Sequence, residues 1–482
     1  MLDVAKQAVE AAKAAGADYA DGRVVAEETE SLTVRNQEME GIDRSSSEGI
    51  GIRVLVNGYW GFAATARTEP EEIERTARLA VEIARAASRL PMEPVRLAEV
   101  EPATGTWHSP MQQDPFNVAL EEKVALLMEA TRRMQAVGGL AFAEGGIDLH
   151  KTRTYLATSE GTAIDQTSVH SGAGIEGTAI GEGELQRRSF PNSFRGHISA
   201  AGWEHIAKLG LTEEAERTAT EAVELLKAQE CPSEVTTLVL DSGQVELQIH
   251  ESIGHPVELD RVLGMEEAYA GSSFVRPDDR GKLRYASPLV SITADATLPG
   301  GLGSFGWDDE GVPAQTVPII VDGVFENFIS SRETASVLGL SSSGAMRADG
   351  WANFPLIRMT NISIEPREGS LADILGDTKD GVYMATNSSW SIDDHRVNFQ
   401  FGCEIAWRIK DGKLTEMYRN PNYTGITTEF WGSCDAVGGR EDWTLWGTPN
   451  CGKGQPMQTM GTGHGAAPAR FRNVRVGVAF AK

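Results

Sequence analysis

Apolar positions repeat along the chain with two periods, one near four residues and one of two, and the changes between them mark the elements. The opening stretch LDVAKQAVEAAKAAGA reads as a short helix that ends at Gly16. Residues 21–66 alternate in stretches, and the VNGY tetrapeptide at 56–59 predicts a hairpin turn. A second helix is predicted over IERTARLAVEIARAA, with Pro70 near its first turn and Thr68 and Glu71 spaced for a capping box. RLPMEPVRLAEVEPATGTWHSP, at 89–110, loses both periods and reads as a linker.

Beyond it, LEEKVALLMEATRRMQAV predicts a helix, residues 152–179 predict strands, and EEAERTATEAVELLKAQE predicts a closing helix before the break at Cys231-Pro232. The remainder is rich in glycine and tryptophan. It carries short β-like runs such as VPIIVDGVFENFI and CEIAWRIKDGKLTEMYR. The pattern predicts an α+β chain: an N-terminal α+β domain over 1–110, a middle α+β domain over 111–230, and a mainly β domain over 231–482. At 482 residues the chain is too long for one core, which agrees with that division.

Composition narrows the function. With 69 acidic against 44 basic residues the net charge is −25, which argues against direct binding of nucleic acid through its phosphates. No apolar run reaches the roughly 18 residues of a membrane span, and the N-terminus has no signal-peptide core, so a cytoplasmic location is expected. Four cysteines in so long a chain make no disulfide framework, and none forms a CxxC pair.

The chemistry concentrates at HESIGHP, residues 250–256. LVLDSGQVELQIHESIGHP predicts a strand ending near Asp241 and a helix capped by Ser242, with Val245, Ile249 and Ile253 facing a core. His250 and His255 lie off that stripe. The zinc-peptidase pattern HExxH works because positions four apart are neighbours on a helix. Here the histidines are five apart, and at about 100° per residue a regular helix separates them by roughly 140°. A turn with i to i+5 bonding, or unwinding at Gly254, would bring them together. Gly254 admits unusual backbone angles, and Pro256 disfavours the helical conformation at His255. The competing reading is a pair of structural histidines, because a zinc site also needs a third ligand.

HESIGHPVELDR resembles the HExxxH segment of the TldD/PmbA family of metallopeptidases, also called modulators of DNA gyrase. GIGIRVLVNGYWGFAATA is similar to that family's first domain. GSFGWDDEGVPAQTVPIIVDGVFENFISSRETA and ARFRNVRV are similar to its last. PmbA-type members lack the histidine motif, so the resemblance points to the TldD-type branch. It implies a Zn2+ peptidase with His250, His255 and the distant Cys451, in NCGKGQP, as metal ligands. Glu251 is then the expected general base, taking a proton from a zinc-activated water. Glu258 and Asp260 match the same segment and are candidates for orienting a ligand imidazole. The resemblance further implies short or unfolded peptides as substrates, and a homodimer or a heterodimer with a PmbA-type paralogue. A different class of function, a non-catalytic partner or regulator, is the alternative expectation.

Cys434, His395 and His464 are rival metal ligands that match no ligand position of the family. A narrower resemblance, to dipeptidyl peptidase III, rests on the inserted residue and the glycine before the second histidine. It would make Glu266 or Glu267 the third ligand. GLGSFG matches GxGxxG but is followed by WDDEGVP, not by a helix, so a turn-rich loop is expected there. Trp307 to Gly311 reads as a cation site or a solvated turn.

Overall fold

Asn57 and Gly58 take φ of 52° and 82°, the two positive values of the hairpin turn that VNGY predicts. They join β2 (Glu38–Val56) to β3 (Tyr59–Thr65) in the computed structural model, which describes residues 1–91, 93–181, 183–193, 196–269 and 271–477. β1 (Tyr19–Arg35) lies on the other side of β2 and is antiparallel to β5 (Leu140–Thr158), which pairs with β6 (Ala163–Gly181). The sheet therefore runs without a break across the predicted linker. Part of that linker is itself a strand, β4 (Thr104–His108), parallel to β6. The sheet order is β3-β2-β1-β5-β6-β4, with Glu184–Phe190 and His197–Ser199 also on β6.

Two helix pairs cover this sheet. α1 (Leu2–Ala14) and α2 (Pro70–Ala87) bury Ala8, Ala12, Ala77 and Val81 against Val24 and Ile52. α3 (Leu120–Ala136) and the helix Leu211–Leu225 bury Leu127, Met134, Ala215 and Ala219 against Ile147 and Ile175. α2 corrects one expectation. Pro70 is its first residue, so Glu69 occupies the N-cap, Thr68 falls outside, and the Thr68–Glu71 capping box does not form.

The last part of the chain builds a second sheet in which both of its ends meet. Glu234–Leu240 is antiparallel to Ala469–Val476 and parallel to Asp380–Ile392. Its core includes Leu238, Ile249, Ile253, Phe401, Tyr423, Trp431 and Phe471. No helix among the described residues is long and apolar enough to cross a membrane.

Trp307–Gly311 lies between the two sheets, and its three carboxylates are buried. Asp308 accepts backbone N–H groups from Glu310, Val312 and Met346 at 2.9–3.0 Å. Asp309 accepts from Ala348 N–H at 2.8 Å and faces Arg23 of β1 at 3.5 Å. Glu310 accepts from Arg332 N–H at 2.7 Å and pairs with Arg53 of β2 at 3.3 Å, and Arg53 also holds Asp21 at 2.8 Å. The segment is thus neither a solvated turn nor, with its carboxylates occupied by N–H and guanidinium groups, an open cation cage. It fastens the second sheet to the first. In the preceding loop a Cβ on Gly303 would lie 2.3 Å from the Thr360 backbone, so this glycine serves a close chain crossing rather than a dinucleotide.

Candidate metal centre

The strand Glu234–Leu240 leads into the helix Ser242–Ile249. Asp241, not Ser242, caps it, accepting Gln244 N–H at 2.7 Å. Val245, Ile249 and Ile253 are fully buried, as their spacing predicts. The helix then widens: His250–Gly254 is a π-turn in which His255 N–H donates to the His250 carbonyl, five residues back. The extra residue returns His255 to the side of His250, with ring centroids 4.8 Å apart and planes at 86°.

The two residues after Ile253 act differently from the expectation. Gly254 has an ordinary helical φ of −58°. What it provides is clearance, since a Cβ there would lie 2.0 Å from Met359 Sδ. His255 stays helical, at φ −63° and ψ −43°, despite the proline after it. Pro256 has no N–H for the Ser252 carbonyl four residues back, and the buried Tyr285 hydroxyl donates to that oxygen instead, at 2.5 Å.

Cys451 arrives from the strand Thr444–Lys453, which forms a hairpin with Gln458–Ala466. Buried Arg358 donates to the carbonyls of Cys451 and Gln458, clamping both strands of that hairpin. Cys451 Sγ lies 3.7 Å from His255 Nε2, and ligand atoms of His250, His255 and Cys451 all fall within 4.8 Å of one another. The other candidates are elsewhere. Cys434 Sγ bonds the Ala436 carbonyl, and burial pushes its thiol up to about 12. His395 bonds Ser272 Oγ at 2.7 Å. Glu266 and Glu267 do not join the cluster among the described residues.

The hydrogen bonds behind the histidines fix which nitrogen is free. The Ile362 carbonyl, which only accepts, lies 3.1 Å from His464 Nδ1, so that nitrogen carries the proton. Neutral His464 then accepts at Nε2, 2.7 Å from His250 Nδ1, which must donate. His250 Nε2 is left with its lone pair. Glu258 Oε2 does the same for His255, accepting its Nδ1–H at 2.9 Å and leaving His255 Nε2 bare. Burial holds both imidazoles down, to about 4, so they are neutral at ordinary pH. Burial raises the Cys451 thiol, but neighbouring His255 and Arg358 outweigh it and leave the thiol below its usual range. Two neutral imidazole nitrogens and a readily ionised thiol are a donor set suited to a borderline-soft divalent ion.

Glu258 is buried and would be raised by desolvation, yet Lys453, His255 and Arg261 hold it well below the usual carboxylate range. Arg261 Nε donates to it at 2.7 Å, and Lys453 Nζ pairs with it at 3.2 Å. Asp260 touches neither histidine; it holds Lys453 at 2.8 Å, one step further out. Glu251 faces a cavity of about 400 Å³ that His250, His255 and Cys451 also line, and Arg396 Nη1 donates to its Oε2 at 2.6 Å. Sequence reasoning weighed His464 only as a rival ligand and missed its role behind His250. It missed Arg396 and Arg358 altogether. Leucine at 464 is expected to leave His250 Nδ1–H without an acceptor and weaken metal binding by about 10–100-fold in a chelator competition. Unchanged affinity would mean that His250 is oriented without it.

Sequence comparison places these residues in a family. The C-terminal domain of the PmbA/TldA metallopeptidases matches residues 233–477, their central domain 113–229, and their domain 1 20–84. A metalloprotease of Methanocaldococcus jannaschii is 28% identical over 93% of this chain and 95% of its own. A protein of Saccharolobus solfataricus named zinc metalloprotease TldD homolog is 22% identical over 87% and 88%. The crystal structure of TldE from Thermococcus kodakarensis shares the fold, with a TM-score of 0.73 at 16% identity over 98% of this chain and 99% of that one. With all three of its domains matched in order, this chain belongs to the PmbA/TldA metallopeptidase family.

Proposed function

We propose that the protein is a zinc-dependent peptidase of the TldD type that hydrolyses short or unfolded peptides in the cytoplasm. The observation that carries this reading is the π-turn that sets His250 beside His255, with Cys451 within 4.8 Å of both. The zinc named in the Saccharolobus solfataricus relative supports the choice of ion. His250 Nε2, His255 Nε2 and Cys451 Sγ would hold the zinc, which supplies an acidified water and a polarised carbonyl. Glu251 takes the proton of the attacking water on its carboxylate and returns it to the leaving amine. Glu258 and His464 keep the two imidazoles in the tautomer that offers Nε2.

A cavity of about 400 Å³ beside the cluster supports a substrate that enters as an extended segment of chain. The fold shared with a TldE structure supports pairing with a PmbA-type paralogue, with a homodimer as the other form. Dialysis against a strong chelator is expected to abolish hydrolysis of an unfolded peptide, and stoichiometric zinc to restore it. Hydrolysis that persists in metal-free protein would refute the metal-dependent reading, and a metal-loaded chain that cleaves no peptide would favour a non-catalytic partner or regulator.

A further inference from the structure

Arg396 is not among the residues the HExxxH resemblance supplies, yet its Nη1 donates to Glu251 Oε2 at 2.6 Å. We infer that Arg396 is a catalytic residue, the cation that receives the negative charge developing on the scissile carbonyl oxygen; this deepens, and rests on, the peptidase reading.

Its position is strongly determined. Arg396 sits in the loop between the strands Asp380–Ile392 and Asn398–Lys410, at a φ of 64° that side-chain-bearing residues rarely adopt. The loop is fixed around it. Arg396 N–H donates to the Asp393 carbonyl at 2.9 Å, and Thr427 Oγ1 donates to the Arg396 carbonyl at 2.6 Å. The Asp393 carboxylate accepts the N–H groups of Val397 and Asn398, each at 2.9 Å. Backbone strain of this kind persists where surrounding contacts over-determine it, and it clusters at functional sites. Arg396 lines the same cavity as His250, Glu251, His255 and Cys451, and it is the only lysine or arginine among the described residues lining it.

The charges of the proposed step then give the guanidinium its role. During attack, the water proton passes to Glu251 and the water oxygen bonds to the carbonyl carbon. The π pair of the carbonyl moves onto its oxygen. Glu251 loses its negative charge as that oxygen gains one, so the guanidinium exchanges one anion for another a few ångströms away. Such a fixed cation, already in place and mostly buried, stabilises the transition state without reorganising.

The test uses the zinc-loaded full chain. Arg396→Met is expected to keep one zinc per chain and a KM within about threefold of wild type while kcat falls about 10²–10³-fold. Affinity for a peptidyl phosphonate, which mimics the tetrahedral oxyanion, is expected to fall by a similar factor in calorimetry, with affinity for the product peptide unchanged. Arg396→Lys, which keeps the charge, is expected to regain at least about tenfold of both losses. Wild-type kcat in Arg396→Met, a loss confined to KM, or a phosphonate affinity untouched by that substitution would overturn the inference. Should Arg396→Met fail to fold or to hold zinc, Arg396→Gln decides as a second neutral variant: a phosphonate affinity at least about tenfold below wild type supports the role, and wild-type affinity overturns it. A wild-type chain that binds no metal and cleaves nothing would instead sink the peptidase reading itself.

Discussion

Glutamine in place of Glu251 is expected to lower kcat for peptide hydrolysis by about 10²–10⁴-fold while leaving the metal content unchanged. The substitution is close to isosteric. The amide oxygen still accepts from Arg396 Nη1, which lies 2.6 Å from Oε2 in the native chain, so the loop carrying Arg396 keeps its anchor. What disappears is a lone pair basic enough to take a proton from water. Glu251 is not among the three residues whose ligand atoms converge, so one zinc per chain is expected in both proteins. Steady-state assay and metal analysis of the same preparations check the two halves together. Hydrolysis within tenfold of wild type would remove Glu251 from the chemistry, and loss of zinc would make it a ligand rather than a base.

Methionine in place of Arg53 is expected to destabilise the fold by about 3–5 kcal/mol, because it leaves buried carboxylates with no cation between them. Arg53 is 1% exposed and holds Asp21 of β1 at 2.8 Å and Glu310 at 3.3 Å. Its guanidinium also lies over the Trp60 ring, 4.5 Å from the centroid. Burial raises both carboxyl groups, and Arg53 is the largest influence opposing it at each. Because the pair spans the two sheets, its loss acts on the contact that the buried Trp307–Gly311 segment makes with the first sheet. Urea denaturation followed by tryptophan fluorescence measures the effect. A loss below about 1 kcal/mol would rank this network with solvent-exposed bridges.

The legible parts of the fold are those with a local cause. Asn57-Gly58 announces its hairpin because few other residues accept two positive φ values in succession, and Val245, Ile249 and Ile253 announce a buried helix face by spacing alone. The wide turn at His250–Gly254 was legible for a stricter reason: five-residue spacing admits few geometries that join two imidazoles, and an i to i+5 bond is one of them. Gly254 and Pro256 act differently from the expectation because Met359, which crowds Gly254, and Tyr285, which satisfies the Ser252 carbonyl, lie outside the segment.

Distance also explains what was missed. Cys451 is 196 residues from His255 and was legible only through resemblance to a family, since nothing beside it distinguishes it from Cys434. His464 reaches His250 because the hairpin of Thr444–Lys453 and Gln458–Ala466 folds over the helix, and no local pattern encodes that approach. The acidic run Asp308-Asp309-Glu310 resembles a solvated turn in sequence. It is buried because Arg23 and Arg53 come from β1 and β2, more than 250 residues earlier. The strand β4 was hidden for a similar reason: it is mostly exposed, so its partner β6 and not an apolar alternation defines it.

Anomalous diffraction across the zinc absorption edge, on crystals of the metal-loaded protein, tests the central claim most directly. One peak per chain is expected, about 2.0–2.1 Å from the Nε2 atoms of His250 and His255 and about 2.3 Å from Cys451 Sγ. A zinc held by other residues, or one bound to the two rings with that sulfur out of bonding range, would contradict it.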